Sequence, residues 1–487
     1  MLSELIPELV LTTDMMINGI CDDSRRVQAG DLYLATLGGS HDARDYVDEA
    51  MQVAAAAVCE SPFVSSHARV FEITDLHAQK GLIASRFWGA PSTRMTVVAI
   101  TGTNGKTSCG HFIAQALTAL GKKCGVVGTL GCGFPGESLQ GSGLTTPSAL
   151  ELQRMLGVLV SEKALAVTIE ASSHGLVQGR LNGTDINLAV FTNISRDHLD
   201  YHPTYADYCA AKRQLFHWPD LRDAVINLDD EFGRQLLTEL PTTVRPISYA
   251  LVNTAADVFC RRVSYSNQGF EAELATPWGQ GSLHSSLLGE FNVSNMLAVV
   301  AVLGLAGYDL SAILEAVGNL KNVRGRMDAI SEPGLPQVVI DYAHTPDALE
   351  KVLKTLRVNC EGKLWCVFGC GGDRDKGKRP EMGRIATDCA DHTIITDDNP
   401  RTEASVAIIA DIERGVKADA VFLVEANRRQ AIALALQSAT SNDMVLIAGK
   451  GHEEYQEING QRQAFSDYAE VAKILSALAK VTVESDR

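Results

Sequence analysis

One pattern recurs through most of this chain and limits what it can fold into. An apolar, β-branched run ends in a cluster of polar residues, and a helical pattern follows. Residues 95–328 give four examples: "MTVVAI" into "TGTNGKT", "LAVTI" into "EASSHG", "LAVF" into "TNISRDHLDYH", and "AVIN" into "LDDE". The rest of the chain gives four more: "VVI" into "DYAHTP", "LWCVFG" into "CGGDRDKGKRP", "HTII" into "TDDNPR", and "MVLIA" into "GKGHEEY". Continuous apolar strands alternating with helices predict parallel sheets covered on both faces. In open α/β sheets ligands sit beyond the carboxyl ends of the strands. The polar clusters fall there, and their residues are too chemically specific for ordinary loops. Two α/β units are therefore expected to face each other across a cleft.

A chain of 487 residues is too long for one core. Three blocks are expected. Residues 1–93 mix short strands ("DLYLATLGG", "AAAAVCE") with the helix-like "KGLIASRFWG". "GAPSTR" at 89–94 interrupts any periodicity and reads as a linker. Residues 94–326 and 327–487 hold the repeating pattern. The fold class expected is α/β in three domains.

The formal net charge of −16 argues against broad binding of nucleic acid or anionic membranes. The start "MLSELIPELV" lacks the basic region and long apolar core of a secretion signal. No apolar run reaches membrane-spanning length, and "MLAVVAVLGLAGY" at 296–308 reads as a buried helix. Eleven cysteines without paired spacing fit a reducing cytoplasm. Cys366 and Cys370 read as core thiols rather than a metal pair, and Cys109 as a candidate for alkylation.

"AITGTNGKTS" at 99–108 carries the most specific chemistry. Gly102 and Gly105 let backbone N–H groups turn toward a phosphate, and the helix behind adds its positive end. Lys106 is expected to reach the outer phosphates and Thr107 to ligate Mg²⁺. The loop reads Gly-x-x-Gly-Lys-Thr, two residues shorter between glycines than the usual phosphate loop. Ile113, Ala116, Leu117 and Leu120 form the buried face of the following helix, and Gly121 can end it. Glu170 ends one strand and His198 follows another, so a carboxylate and an imidazole could share a divalent ion.

These motifs together resemble the Mur ligase family. "TGTNGKT", "EASSHGL", "TNISRDHLDYH" and "YCAAKRQLF" look like its central domain; "LLGEFNVSNMLA", "VIDYAHTPDALEKVL", "GCGGDRDKGKRP" and "GKGHEEYQ" extend the likeness. The resemblance implies a central P-loop-type ATPase domain, a Rossmann-like C-terminal domain and an N-terminal domain for a UDP-linked substrate. It implies ATP and Mg²⁺ as cofactors and an acyl-phosphate route to an amide. ATP would lie against Gly102, Thr103, Asn104, Gly105, Lys106, Thr107, Asn295, Arg326 and Asp341, with His344 close by. Metal ligands would be Thr107, Glu170, His198 and Lys212, the last as an N6-carboxylysine carbamate. Read by itself, Lys212 looks like a helix-surface lysine; as an ammonium it would repel the metal. Lys106, Glu170, His198 and Lys212 are the catalytic candidates.

Within the family the likeness is strongest to members that add meso-diaminopimelate to UDP-N-acetylmuramoyl-L-alanyl-D-glutamate during peptidoglycan precursor synthesis. Ser24, Thr145, Thr146, Ser172, Gln178 and Arg180 match that nucleotide–dipeptide site; alone, each is an unremarkable loop residue. "TDDNPRTE" at 396–403 matches the amino-acid site. There Arg401 is expected to grip a distal carboxylate, with Arg374 assisting. Asp398, Asn399 and Glu453 offer acceptors for an ammonium, and Gly449 admits a close backbone. The competing reading of that loop pairs Arg401 with Asp397 or Glu403. Thr345 and Pro346 are expected to start a helix with Leu349, Val352, Leu353 and Leu356 buried. A monomer is expected, with no nucleic-acid partner and no membrane insertion. A lysine-adding relative, a folylpolyglutamate synthase, a P-loop kinase and a nucleotide-binding scaffold are the alternatives.

Overall fold

A computed structural model describes residues 1–38, 42–141, 143–266 and 269–485, with side chains to residue 479. It is an α/β protein built on three sheets and one small hairpin. Four parallel strands form the first sheet, in the order Gly19–Cys21, Asp31–Ala35, Ala56–Glu60, Val70–Ile73. The helix Leu76–Phe87 covers one face, burying Leu76, Ile83 and Ala84. "GAPSTR" holds a 3-10 turn, Pro91–Arg94, rather than a free linker.

The central sheet has ten strands. Thr96–Thr101 lies between Ala166–Glu170 and Leu188–Phe191, parallel to both. Cys124–Gly128 lies beyond the first, and Asp223–Asn227 with Arg245–Ala250 beyond the second. Both faces are covered, as the unbroken apolar runs require. One face packs against Lys106–Ala119 and Glu290–Leu305. The other packs against Ala149–Ser161 and Glu231–Glu239. Helix Glu290–Leu305 is the long apolar segment, with Met296 through Gly304 buried. Parallel pairing does not continue to the edges. Val258–Ser266, Gly269–Thr276 and Gly279–Ser285 form an antiparallel extension, and Gly131–Gly133 pairs antiparallel at the opposite edge. The signal in the extension is alternation of exposed and buried residues, a period-2 pattern unlike the continuous runs.

The third sheet runs Asp328–Ile330, Gln337–Asp341, Met444–Ala448, Leu364–Phe368, His392–Ile395, Phe422–Val424, parallel except for its first pair. Helices Pro346–Asn359, Lys378–Cys389 and Ser405–Glu413 cover one face; Arg428–Ser438 and Asp467–Ser485 cover the other. Thr345 caps its helix by accepting from the Ala348 N–H, and Leu349, Val352, Leu353 and Leu356 are buried as expected. Among the described residues no helix is long and apolar enough to cross a membrane.

Candidate active site

The carboxyl ends of the central and third sheets open onto one cavity of about 1230 Å³. Lys106, Thr145, Ser172, Arg180 and His198 line it from one side; Arg374, Asp398, Asn399, Arg401, Gly449 and Glu453 line it from the other. Direct contacts join the sides. Arg374 Nη1 lies 3.4 Å from Asp200 Oδ2, Arg196 Nε 3.2 Å from Asp375 Oδ2, and Asn104 Nδ2 donates to Asp347 Oδ2 at 3.0 Å.

The phosphate loop leaves the strand Thr96–Thr101 and enters the helix Lys106–Ala119 at Gly105. Gly105 has φ +85°, and a Cβ there would stand 2.8 Å from Asn295 Oδ1. Only glycine fits both conditions. Lys106 was expected to extend toward phosphates. Here Lys106 Nζ turns back and donates to Gly102 O at 2.8 Å and Thr103 O at 2.9 Å. Lys212 Nζ donates to the same Gly102 O at 2.8 Å. The two amines share the loop's own carbonyls.

Lys212 is no surface residue: its helix turns it inward until 1% of it is exposed. A helix-surface reading fails because Tyr208 and Ala211 beside it are also buried. Burial, and then Lys106, pulls the Lys212 pKa well below the ordinary lysine value. Burial thus favours the neutral amine, which is the form that reacts with CO₂. Cys109 is likewise inaccessible, with no exposed surface and a thiol pushed up to about 12 by burial, so alkylation is not expected. Cys366 and Cys370 are buried core thiols.

Glu170 ends its strand with both oxygens engaged. Oε1 accepts from the Thr129 N–H at 2.8 Å, and Oε2 accepts from Thr107 Oγ1 at 3.0 Å. Arg326 Nη2 donates to Thr107 Oγ1 at 3.0 Å, and its guanidinium stacks 4.6 Å from the Tyr342 ring centre. Asp341 accepts from the N–H groups of Met327 and Ala343, both at 2.7 Å; burial raises its pKa despite Arg326. Asn295 is 7% exposed and accepts from Cys109 Sγ.

His198 has φ +56° and leans on Asp197, whose Oδ2 lies 3.4 Å from His198 Nε2 and 3.9 Å from His344 Nε2. Burial pulls the His198 pKa down against the pull of Asp197, leaving a neutral imidazole. Burial also drives His344 down to about 4. Asp197 escaped sequence reasoning, although it stands next to a motif histidine. Thr107 and Glu170 supply oxygen donors 3.0 Å apart, and His198 supplies an unprotonated nitrogen. That donor set suits a divalent ion with hard ligands. Among the described residues no group of three His, Cys, Asp or Glu could hold a metal. A full site therefore needs a donor of another kind, such as Thr107 or a carbamate.

The substrate-matching residues separate. Thr145 and Ser172 reach the cavity wall. Thr146 has no exposed surface; its hydroxyl binds Glu170 O at 2.6 Å and lies 2.8 Å from Ser172 Oγ. Arg180 donates to Gln178 Oε1 and to Thr146 O, both at 2.7 Å. Ser24 opens the short turn Ser24–Arg26 in the first sheet's layer, and it is not part of the cavity wall.

The amino-acid candidates meet at the far end. Arg401 stands at φ +53°, and its Nη1 donates to Gly372 O at 2.8 Å. Among the described residues it has no carboxylate partner. Glu403 is taken instead by Arg379 and Lys376, and Asp397 by Ser405. The alternative pairing of Arg401 with either acid is thus excluded. Lys450, which sequence reasoning passed over inside "GKGHEEYQ", has no exposed surface. It donates to Asn399 Oδ1 at 3.0 Å and Glu453 Oε2 at 2.8 Å, fixing both acceptors. Gly449 has φ +112°, and a Cβ there would stand 2.5 Å from Asp398 Oδ2.

Comparisons with known proteins agree with this architecture. The family model described as the Mur ligase middle domain matches residues 100–303, and the Mur ligase glutamate ligase domain matches 325–451. The chain is 48% identical over 482 residues to a UDP-N-acetylmuramoyl-L-alanyl-D-glutamate–2,6-diaminopimelate ligase from Pseudomonas aeruginosa, covering 98% of each. It is 44% identical to the Coxiella burnetii protein of the same name, covering 96% of this chain and 97% of that one. A solved structure of a ligase of that name superposes with TM-score 0.71 at 37% identity, covering 98% and 99%. MurF ligase from Thermotoga maritima in complex with ADP shares the fold, with TM-score 0.65 at 20% identity, covering 90% and 95%.

Proposed function

This chain belongs to the Mur ligase family, and we propose that it joins 2,6-diaminopimelate to UDP-N-acetylmuramoyl-L-alanyl-D-glutamate at the expense of ATP, a step of peptidoglycan precursor synthesis. The observation that carries this reading is the far wall of the cavity. Arg401 offers a guanidinium that meets no carboxylate among the described residues, and Asn399 and Glu453 are locked in place beside it by Lys450. An amino acid with a second carboxylate and a second ammonium is complementary to that wall. Lysine would leave Arg401 desolvated and unpaired.

The chemistry follows from what a carboxylate lacks. It is a poor electrophile at neutral pH. Its oxygen attacks the γ-phosphorus of ATP, the bond to ADP breaks, and an acyl phosphate forms. The free amine of diaminopimelate then adds to the carbonyl carbon. The tetrahedral adduct expels phosphate, and the amine proton goes to solvent. Lys106 is placed to leave its carbonyls for the phosphates, since a charge-assisted bond is the stronger. Thr107, Glu170 and His198 would hold Mg²⁺, which supplies charge neutralisation when bound. Lys212 completes that set as a carbamate, formed when its neutral amine takes up CO₂ and loses a proton. Catalysis is otherwise positioning.

We assign residues 1–93 to the UDP-bearing end of the substrate, 94–326 to ATP and the dipeptide, and 327–487 to the amino acid. A monomer in the cytoplasm suits these substrates, and the cysteines are all free. The test is phosphate release by the purified protein. Release should require ATP, the UDP-linked dipeptide and meso-diaminopimelate together. Replacing diaminopimelate by L-lysine should lower kcat/KM by roughly 10⁴-fold. Equal values for the two amino acids would refute the reading of the Arg401 wall.

A further inference from the structure

Five lysine or arginine residues are buried outright: Lys212, Lys378, Arg379, Arg428 and Lys450. Four have partners within the chain. Arg379 binds Glu403 and Asp411, Arg428 binds Asp467, Lys450 binds Glu453 and Asn399, and Lys212 binds Gly102 O. Lys378 differs. It is 6% exposed, yet among the described residues its ammonium has no hydrogen-bond or ion-pair partner. Its ammonium is not among the fully enclosed unpaired polar atoms, so the buried stem delivers the charge to an open wall where an anionic ligand would complete it. Lys378 lines the cavity, so such a ligand has access.

Two further facts define the ligand. Lys378 is the first residue of the twelve-residue helix Lys378–Cys389, whose N-terminus carries no side-chain cap. The helix thus adds its positive end to the lysine's charge. An anion is the complement. Lys378 lines the same cavity as Asp197, His198 and His344. Arg401, by contrast, is tied to Gly372 in the amino-acid wall. Arg401 already answers the distal carboxylate of the amino acid, which leaves the phosphoryl group as the anion for Lys378.

We propose that Lys378 is a catalytic residue that binds the transferred phosphoryl group of the acyl phosphate, holding it from the third sheet's side of the cleft. The inference rests on the ligase reading given above. Lys378 moves no proton. It donates hydrogen bonds to phosphoryl oxygens while the bond to ADP breaks, and again as the carbonyl–phosphate bond breaks. The phosphate carries its bonding electrons away in that second step, so a fixed cation lowers the energy of departure.

The test uses the full-length protein with ATP, the UDP-linked dipeptide and meso-diaminopimelate. Lys378→Met should lower kcat on the order of 10²-fold or more, while KM for diaminopimelate stays within about threefold of wild type. Without diaminopimelate, the acyl phosphate trapped by borohydride reduction should fall with kcat. Lys378→Arg should recover part of both. The Met variant should melt no lower than wild type, because the lysine it replaces has no partner. A rise in KM for diaminopimelate at unchanged kcat would overturn the proposal and assign Lys378 to an amino-acid carboxylate. A lowered Tm would overturn its unpaired status. Unchanged kinetics with an active wild type would refute this role alone. An inactive wild type would refute the ligase reading beneath it.

Discussion

The two ends of the cavity are built on opposite plans. At the phosphate end the reactive amines are occupied by the chain itself: Lys106 and Lys212 both rest on Gly102 O, and Glu170 is engaged by Thr107 and Thr129. At the end proposed for the amino acid, Arg401 rests on Gly372 O and, among the described residues, meets no carboxylate, while the residues behind it are locked. Arg379 and Glu403 clamp the loop after Leu364–Phe368 to the loop after His392–Ile395, because Arg379 also donates to Gly371 O. Arg428, paired with Asp467, donates to Ala448 O at the end of a third strand. The difference teaches how selectivity and catalysis are divided. A recognition wall gains by being rigid before its ligand arrives. A phosphate site can rest on neutral carbonyls and exchange them for anions, since the exchange strengthens each bond.

The comparison breaks most readily at Lys212. If the phosphate end works through a carbamate there, Lys212→Ala should lower kcat on the order of 10²–10³-fold. Lys212→Arg should not restore it, because a guanidinium stays cationic and forms no carbamate. Turnover by the Arg variant near wild type would remove the carbamate. A crystal structure of the active protein should show density beyond Nζ.

A second break is at the open cation. Arg401→Ala should raise KM for diaminopimelate and cost about 2–5 kcal/mol in kcat/KM, with KM for ATP little changed. Parallel rises in both KM values would mean that the two ends are not separate.

The smallest effect sharpens the comparison by pH. Arg379, with the backbone and Lys376, holds the Glu403 carboxyl down to about 2, against the burial that would raise it. Its folded value is depressed. Its stabilising contribution is therefore complete above the unfolded value of about 4.3 and is lost as pH falls toward about 2. Glu403→Gln should flatten the acid limb of Tm between those pH values. An unchanged limb would mean that the clamp contributes no net stability.

Local sequence determined much of this protein. The phosphate loop, its helix, the Thr345 cap and the parallel strands follow from apolar periodicity and from glycines at fixed offsets, which act over a few residues. The antiparallel strands at 258–285 were missed because their alternating pattern was read within a chain dominated by continuous runs. What only the tertiary structure decided concerns charge in three dimensions. Lys212 and Lys378 look alike as letters on helices, yet one rests on Gly102 O and the other, among the described residues, has no partner. Arg401 stands beside Glu403 in sequence, but Glu403 turns to Arg379, more than twenty residues earlier, and leaves the guanidinium to the cavity. Sequence spacing sets which side chains can be neighbours along one element. Which cation meets which acid depends on the packing of separate strands and helices, because ionic and hydrogen-bonded contacts act only over a few ångströms of space.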